Sequence, residues 1–140
     1  MYKLHTKGSP MLTQISKPCM LPYAELQKLA RAMQEICAKH NGLGIAAPQV
    51  GASARVILIR TPNVIKFIVN PEITPIKERG HKIVQEGCLS YPGEKRRHRR
   101  WKRIEIKGTD LQGGPMSEKY SSIAAQVAQH LIDCLNGVVG

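Results

Sequence analysis

Apolar residues near the start of the chain recur at three- and four-residue steps, a spacing that predicts an amphipathic helix. Pro22 can begin this helix, because proline suits the first helical turn, and Asn41-Gly42 can end it. The apolar face consists of Leu26, Leu29, Ala30, Met33, Ile36 and Cys37. Residues 42–51 then contain too many helix and strand breakers to predict a regular element. The glycines of this segment predict that its backbone passes close to another part of the fold.

Further along, the pattern changes to short runs rich in Val and Ile, separated by proline or glycine, which predict strands. These runs are residues 55–60, 66–70, 82–85, 103–107 and 116–119, with a turn at 110–115 before the last. A closing helix, capped by Ser121 or Ser122, is expected to run to about Leu135 and to end at Asn136-Gly137. A helix, several strands and a helix predict an α+β fold with mainly antiparallel sheets.

Length and composition describe one ordinary globular domain. The chain has 140 residues, of which 42% are hydrophobic and 22% charged, enough to bury a core without disulfides. The longest aliphatic run is residues 56–59, far shorter than the roughly 18 residues of a transmembrane helix. No charged-then-apolar stretch opens the chain, so a cytoplasmic protein with a single domain over residues 1–140 is expected. Membrane, collagen-like, coiled-coil and fully disordered chains are excluded.

The charge of the chain is unusual, because 21 Lys and Arg against 10 Asp and Glu give a net charge of +11. Much of this excess falls within residues 95–103, which contain Lys95, Arg96, Arg97, Arg99, Arg100, Lys102 and Arg103. Such a run forms either a solvated strand or loop, or a docking strip for nucleic-acid phosphates with Trp101 available for stacking. We keep both interpretations open.

Four cysteines in a chain expected to be cytoplasmic are more typical of free thiols or ligands than of disulfides. No Cys-x-x-Cys pair is present, and Cys19 and Cys37 are expected to be small buried hydrophobes. In the closing helix His130 and Cys134 are four residues apart, which places them on one face as neighbours. Imidazole and thiolate both suit zinc, although core packing also explains such a pair.

Two further segments bear on this choice. They read Gly42-Leu-Gly44-Ile-Ala46-Ala47-Pro-Gln49 and Glu86-Gly-Cys-Leu-Ser90, and the closing helix contains Gln129-His-Leu-Ile-Asp-Cys-Leu135. The three segments resemble the signature motifs of the peptide deformylases, metalloenzymes that remove the N-formyl group from new polypeptides. The first two motifs are matched completely and the third in part. Their order and spacing fit, so the resemblance covers the chain from the first helix onward.

The resemblance implies a peptide deformylase-like fold, with antiparallel sheets around a central helix that carries the metal. It implies one divalent ion held by Cys88 and His130, with Cys134 where the family has a second histidine. The ion is iron(II) in many members and zinc or nickel in others. In the family it acidifies a bound water that attacks the formyl carbon of an N-formylmethionyl peptide. Gln49 and the backbone N–H of Leu89 are then expected to stabilise the developing oxyanion.

Two positions depart from the third motif. Leu131 replaces the glutamate that moves the proton, and general acid–base help is typically worth ~10²–10⁴-fold in rate. Cys134 remains a ligand, but a second thiolate cancels the charge of the ion, so bound water is acidified less and zinc is favoured. Glu86 and Asp133 have supporting roles in the family. We therefore expect the fold and the metal site, with impaired hydrolysis.

The substrate side is expected to be apolar. Ile123 and Val127 precede His130 by seven and three residues on the same helix face. With Leu43 they are expected to line a pocket suited to a methionine side chain, and Gly44 and Glu86 complete the expected substrate contacts. The alternative for Ile123 and Val127 is ordinary core packing.

The end of the chain resembles short deformylases of bacteriophages, because the helix that follows the third motif in many bacterial members is missing. Residues 95–103 are then expected to take over contact with ribosomal RNA. Two alternatives to hydrolysis stay open. One is a metal-bound pseudoenzyme that binds formyl-methionyl chains at the ribosome, and the other is a basic RNA-binding module with a purely structural metal.

Overall fold

The structure is a computed structural model that describes residues 2–138. Its elements in chain order are α1 (Tyr23–Lys39), β1 (Gly44–Ala46), β2 (Val56–Thr61), β3 (Val64–Pro75), β4 (His81–Cys88), β5 (Tyr91–Trp101), β6 (Arg103–Thr109), β7 (Pro115–Ser121) and α2 (Ser122–Leu135). Short 3₁₀ turns lie at Pro10–Thr13, Ala47–Val50 and Lys77–Arg79. In this part of the chain no helix is long and apolar enough to cross a membrane.

The strands form two antiparallel sheets. One has five strands in the order β1-β2-β3-β6-β7, and the other is the hairpin of β4 and β5. The predicted α+β fold with mainly antiparallel sheets is therefore confirmed. β3 continues beyond its predicted end at Asn70, because a register shift between Val69 and Glu72 accommodates Pro71.

Strand β2 is the centre of the fold. Its residues alternate between two cores, with Val56 and Leu58 on the side of α1 and Ile57 and Ile59 on the side of α2. Burial on both faces explains why these four residues read as an uninterrupted aliphatic run. The five-stranded sheet therefore lies between the two helices.

Helix α1 packs against one face of this sheet, as its apolar pattern predicts. Five of its six predicted apolar positions are buried, namely Leu26, Leu29, Ala30, Met33 and Cys37. Ile36, the sixth position, lies at the edge of the same core and is only half-buried. Cys19, in the segment before α1, is half-buried at the same edge. The expectation of burial is therefore confirmed for Cys37 and met only in part by Cys19, whose backbone forms two hydrogen bonds with the Asn70 side chain.

Helix α2 packs against the other face and carries the third motif. Ala125, Ala128, Leu131 and Leu135 are buried against the isoleucines of β2 and β6. Ser121 is at the N-cap position, as expected, but its side chain makes no capping hydrogen bond.

The glycine-rich segment 42–51 is more regular than predicted. Residues 44–46 form β1, which pairs with β2, and a 3₁₀ turn follows at once. The predicted close backbone approach is confirmed at Gly44. A Cβ atom there would lie 2.7 Å from Val127 Cγ1 and 2.8 Å from the carbonyl oxygen of Leu58. A side chain at this position would push α2 away from the sheet edge.

Candidate metal centre

Three potential metal ligands converge where α2 crosses the end of β4. The ligand atoms of Cys88, His130 and Cys134 all lie within 4.8 Å of one another. Cys88 is the last residue of β4, and the other two project from successive turns of α2, with Cys134 Sγ 3.8 Å from His130 Nε2. In the described residues this is the one group of at least three such ligands. The structure thus brings together the three ligands expected from the sequence.

This donor set fits a zinc-like ion. Zn–S bonds of about 2.3 Å and Zn–N bonds of about 2.0–2.1 Å in a tetrahedral site place neighbouring ligand atoms roughly 3.3–3.8 Å apart. A group already within 4.8 Å reaches that spacing by small side-chain adjustments. Two sulfurs and one nitrogen leave a fourth position open, as catalytic zinc sites require.

His130 is oriented by a buried carboxylate. Glu86 Oε1 lies 3.4 Å from His130 Nδ1, so the other ring nitrogen, Nε2, faces Cys134. Arg100 donates to both oxygens of Glu86, from Nε at 2.9 Å and from a terminal nitrogen at 2.7 Å. Its other terminal nitrogen donates to Asp133 Oδ2 at 2.6 Å. A partner that fixes the far nitrogen of a ligating histidine is the usual support of a metal site.

The same contacts control protonation. Burial opposes the ionisation of Glu86, but hydrogen bonds from Arg100 and His130 outweigh it and lower its pKa to about 2. The pKa of Cys88 is lowered to about 4, mainly by a hydrogen bond from Cys134. Burial acts against this shift, and a hydrogen bond from His130 adds to it. The pKa of Cys134 is raised well above its usual value by the hydrogen bond that Cys134 forms with Cys88 and by burial. For His130, hydrogen bonds with Cys88 and Glu86 outweigh burial and raise the pKa to about 9.

Gln49 places an amide donor beside the ligands. Its Oε1 accepts a hydrogen bond from the backbone N–H of Ala46 at 2.8 Å, which fixes the rotation of the amide. Its Nε2 then donates to Ser90 Oγ at 3.2 Å and to Cys88 Sγ at 3.5 Å. Gln49 is almost fully buried, so this donor faces the metal cluster without competing water.

A cavity of about 430 Å³ opens in front of the cluster. Its walls include Leu43, Gly44, Glu86, Leu89 and Val127, all expected substrate or oxyanion positions. Ile123 does not belong to them. It lies in the first turn of α2, is 50% exposed and is not among the described residues that line the cavity, so its expected substrate contact stays a prediction. Glu86 reaches the cavity with both oxygens already bound to Arg100.

Leu131 is at once a cavity residue and a core residue. Its side chain is 1% exposed and packs in the core beneath α2, while the same residue lines the cavity beside His130. Among the described residues that line this cavity, the carboxylates are Glu86 and Glu94, and each is ion-paired with an arginine. No carboxylate free of an ion pair therefore takes the proton-accepting position in the described wall.

Residues 95–101 of the basic run lie in β5. Successive side chains of a strand point to opposite faces, so this part of the run divides into two sets. Arg100 is buried in the ion pairs described above, so it is wrong as a member of a docking surface. Arg96 is half-buried and contacts Glu94 and the Tyr91 ring, and its contact with RNA stays a prediction. Trp101 is not free to stack on bases, because it packs against the α2 core and makes an edge contact with His81 at 5.4 Å. Lys95, Arg97, Arg99 and Lys102 are exposed, and Arg103 is half-buried.

Two basic residues outside the predicted run lie beside these exposed side chains. Arg79 and Lys82 join Lys102 and Arg103 in a groove of about 640 Å³ at the base of the hairpin. Lys82 belongs to the strand that pairs with the basic strand, opposite Arg100. Arg79 lies next to Gly80, whose carbonyl accepts a hydrogen bond from the backbone N–H of Lys102 and so brings Arg79 close to the end of β5. Their own sequence neighbourhood gives no sign of this grouping, since it depends on the pairing of β4 with β5.

An α+β fold that places two thiols, one imidazole and a buried amide donor at the floor of an open cavity has the features of a metallohydrolase. Comparison with known proteins is more specific. The family model described as polypeptide deformylase matches residues 1–140. The chain belongs to the polypeptide deformylase family.

Similar relatives and structures carry the same name. The peptide deformylase of Thermotoga maritima is 36% identical over 139 residues, which are 99% of this chain and 84% of the relative. Its crystal structure has a TM-score of 0.92 at 36% identity and covers 99% of this chain and 94% of that chain. The deformylase of Vibrio parahaemolyticus bacteriophage VP16T, in complex with actinonin, has a TM-score of 0.90 at 32% identity, with 99% of each chain covered. The expected deformylase fold is thereby confirmed.

Proposed function

We propose that the chain binds N-formylmethionyl peptides and removes their formyl group slowly, because Leu131 cannot accept a proton. The observation that carries this proposal is the convergence of Cys88, His130 and Cys134 beside the Gln49 amide at the floor of the cavity. When bound by these ligands, a divalent ion would supply a polarised carbonyl and an acidified water. Zinc is the proposed ion, because two of the three ligands are thiolates.

The residues of this chain provide binding and charge stabilisation. Leu43, Gly44 and Val127 offer an apolar wall of the cavity to a methionine side chain. The Gln49 amide, held in its rotation by Ala46, donates toward the place where negative charge develops on the formyl oxygen. The backbone N–H of Leu89, next to Cys88, is the proposed second donor.

Proton transfer is the step that this chain supports least. Glu86 has a pKa lowered to about 2 and stays ionised in contact with Arg100 and His130. A carboxylate so strongly held is a poor proton acceptor near neutral pH. Asp133 is likewise bound to Arg100. The structure therefore supports a lowered rate, and the expected loss is ~10²–10⁴-fold relative to a site with a free base.

The alternative function is a pseudoenzyme that binds formyl-methionyl chains without turnover, and the apolar side chain of Leu131 in the cavity wall favours it. The experiment that separates the two uses zinc-loaded protein, an N-formylmethionyl peptide and the N-acetylmethionyl peptide as matched control. Formate release above the metal-free background supports hydrolysis. Saturable binding of the formyl peptide without formate supports the pseudoenzyme. Neither binding nor release would contradict both functions.

We also propose that the outer face of the hairpin contacts ribosomal RNA. The surface that we propose consists of Lys82, Lys95, Arg97, Arg99, Lys102 and Arg103 with Arg79, and it is supported by their exposure on the hairpin and its base. None of these side chains forms an ion pair with a described residue, so all can neutralise phosphates. Binding to ribosomes should weaken steeply with added salt and on changing Arg97 and Arg99 to Ala. Binding that is insensitive to salt would contradict this contact.

A further inference from the structure

The metal cluster contains two thiols that come from different parts of the fold. Cys88 ends β4 and Cys134 lies in α2, and their sulfurs belong to the group of ligand atoms that lie within 4.8 Å of one another. Both residues line a small second cavity of about 30 Å³ behind the cluster, which has room for a water-sized molecule. A histidine in place of Cys134 would leave no such pair, so the pair is a feature of this chain.

We propose that Cys88 and Cys134 form a reversible disulfide when no metal ion is bound, so that the ion and the disulfide exclude each other. A disulfide needs its sulfurs at about 2.05 Å. A change between staggered side-chain conformations moves a cysteine sulfur by roughly 3 Å, which closes a gap of at most 4.8 Å. The inference uses the ligand set of the proposed function, but disulfide formation itself does not require hydrolysis.

Hydrogen peroxide is the proposed oxidant, because it is a small two-electron oxidant and both cysteines line the second cavity. The thiolate sulfur of Cys88 attacks one peroxide oxygen, the O–O bond breaks, and the departing hydroxide takes a proton from solvent, which replaces the one that Cys88 lost on ionisation, and leaves as water. The sulfur of Cys134 then attacks the resulting sulfenic acid. The S–S bond forms, the S–O bond breaks, and the hydroxide leaves with the proton of Cys134 as a second water. Two thiols are oxidised by two electrons, and one peroxide is reduced to two waters.

The other two cysteines provide internal controls. Cys37 is fully buried in α1, and its thiol donates to the carbonyl of Gly42 at 3.4 Å. Cys19 lies in the loop that is tied to Asn70. Neither belongs to the ligand group. The disulfide would also protect Cys88 from irreversible oxidation, because a sulfenic acid with a neighbouring thiol condenses instead of taking up more oxygen.

The test treats the reduced, metal-free full chain with hydrogen peroxide. The expected product has lost two hydrogen atoms by intact mass, and a non-reducing peptide map joins the Cys88 peptide to the Cys134 peptide. Zinc binding should be lost and should return after reduction with a dithiol. Zinc-loaded protein should form the disulfide more slowly and release its zinc as it does so.

Two variants make the result specific. Cys134→His keeps a metal ligand but should add oxygen to Cys88 instead of losing hydrogen, whereas Cys19→Ser should behave as the parent. The inference is overturned if Cys88 is linked to Cys19 or Cys37, if it is oxygenated while Cys134 stays a free thiol, or if the disulfide forms with zinc retained. Because the readouts are mass and zinc content, failed hydrolysis with a mapped disulfide rejects only the proposed function.

Discussion

The buried arginine of the basic run gives the sharpest energetic prediction. Arg100 and Glu86 are each 6% exposed at the side chain, and Arg100 also binds Asp133, which is 33% exposed. Arg100→Met keeps a long apolar side chain but leaves the Glu86 carboxylate buried without its cation. Breaking a buried pair in this way costs about 3–5 kcal/mol. Asp133 adds little to this figure, because water can replace its partner.

The measurement is urea denaturation of metal-free protein at neutral pH, followed by circular dichroism since Trp101 adjoins the mutated residue. Arg97→Met is the matched control. Arg97 is two residues away in the same strand, exposed and without an ion pair among the described residues, so its replacement should change stability by less than about 0.5 kcal/mol. Arg100→Lys, which keeps the charge, should fall between the two variants and provides a folded reference if Arg100→Met does not fold.

A second variant separates lost attraction from uncompensated charge. Adding Glu86→Gln to Arg100→Met should recover part of the lost stability, because the carboxylate that remains buried is then neutral. Zinc affinity should fall roughly 10–100-fold in Arg100→Met, since Glu86 no longer holds the His130 ring in place. A loss of stability below about 1 kcal/mol, together with unchanged zinc affinity, would refute the assignment of Arg100 to the metal site.

Three further predictions concern the site and its frame. Gly44→Ala should lower the free energy of unfolding in urea by about 1–3 kcal/mol, because the added Cβ would lie 2.8 Å from a backbone carbonyl oxygen of β2. Gly87→Ala is the control and should be neutral, because its Cβ would lie 3.8 Å from the nearest atom. Equal effects would contradict the close packing of α2. The lowered pKa of Glu86, about 2 against an ordinary 4.5, stabilises the metal-free fold above about pH 4.5, and this contribution is lost as the pH falls toward 2. Glu86→Gln should therefore show a shallower acid dependence of the urea midpoint, and an unchanged one would speak against the ion pair. Cys134→Ala should weaken zinc binding in a chelator competition by more than the roughly 10–100-fold that the loss of a supporting contact costs. Cys19→Ala should leave zinc binding unchanged. Similar zinc affinities in the two variants would show that Cys134 is not a ligand.

The sequence predicts best the elements whose own spacing of apolar residues shows which of their faces are buried. Helix α1 shows its buried face at helical spacing, and β2 shows burial on both faces as an aliphatic run. The three candidate metal ligands could be named because the motifs they resemble have fixed spacing, and the fold brings β4 and α2 together as those motifs require.

The features that were mispredicted depend on distant partners. Strand β1 has little strand character of its own and forms because β2 offers a free edge and Gly44 lets α2 approach. Alternation along β5 indicates that Arg96 and Arg100 share a face, but only the position of α2 explains why Arg100 is buried. Ile123 has the helical spacing of a wall residue, yet it lies in the first turn of α2 and is not among the described residues that line the cavity.

We propose that this fold keeps a deformylase metal site in which Leu131 occupies the proton-accepting position. The proposal is tested by comparing formate release from an N-formylmethionyl peptide by zinc-loaded parent, Leu131→Glu and Leu131→Gln, at matched zinc content. We expect a gain of ~10²–10⁴-fold for Leu131→Glu and none for Leu131→Gln, because glutamine is polar but cannot act as a base. Equal rates in all three folded, zinc-bound proteins would contradict the proposal.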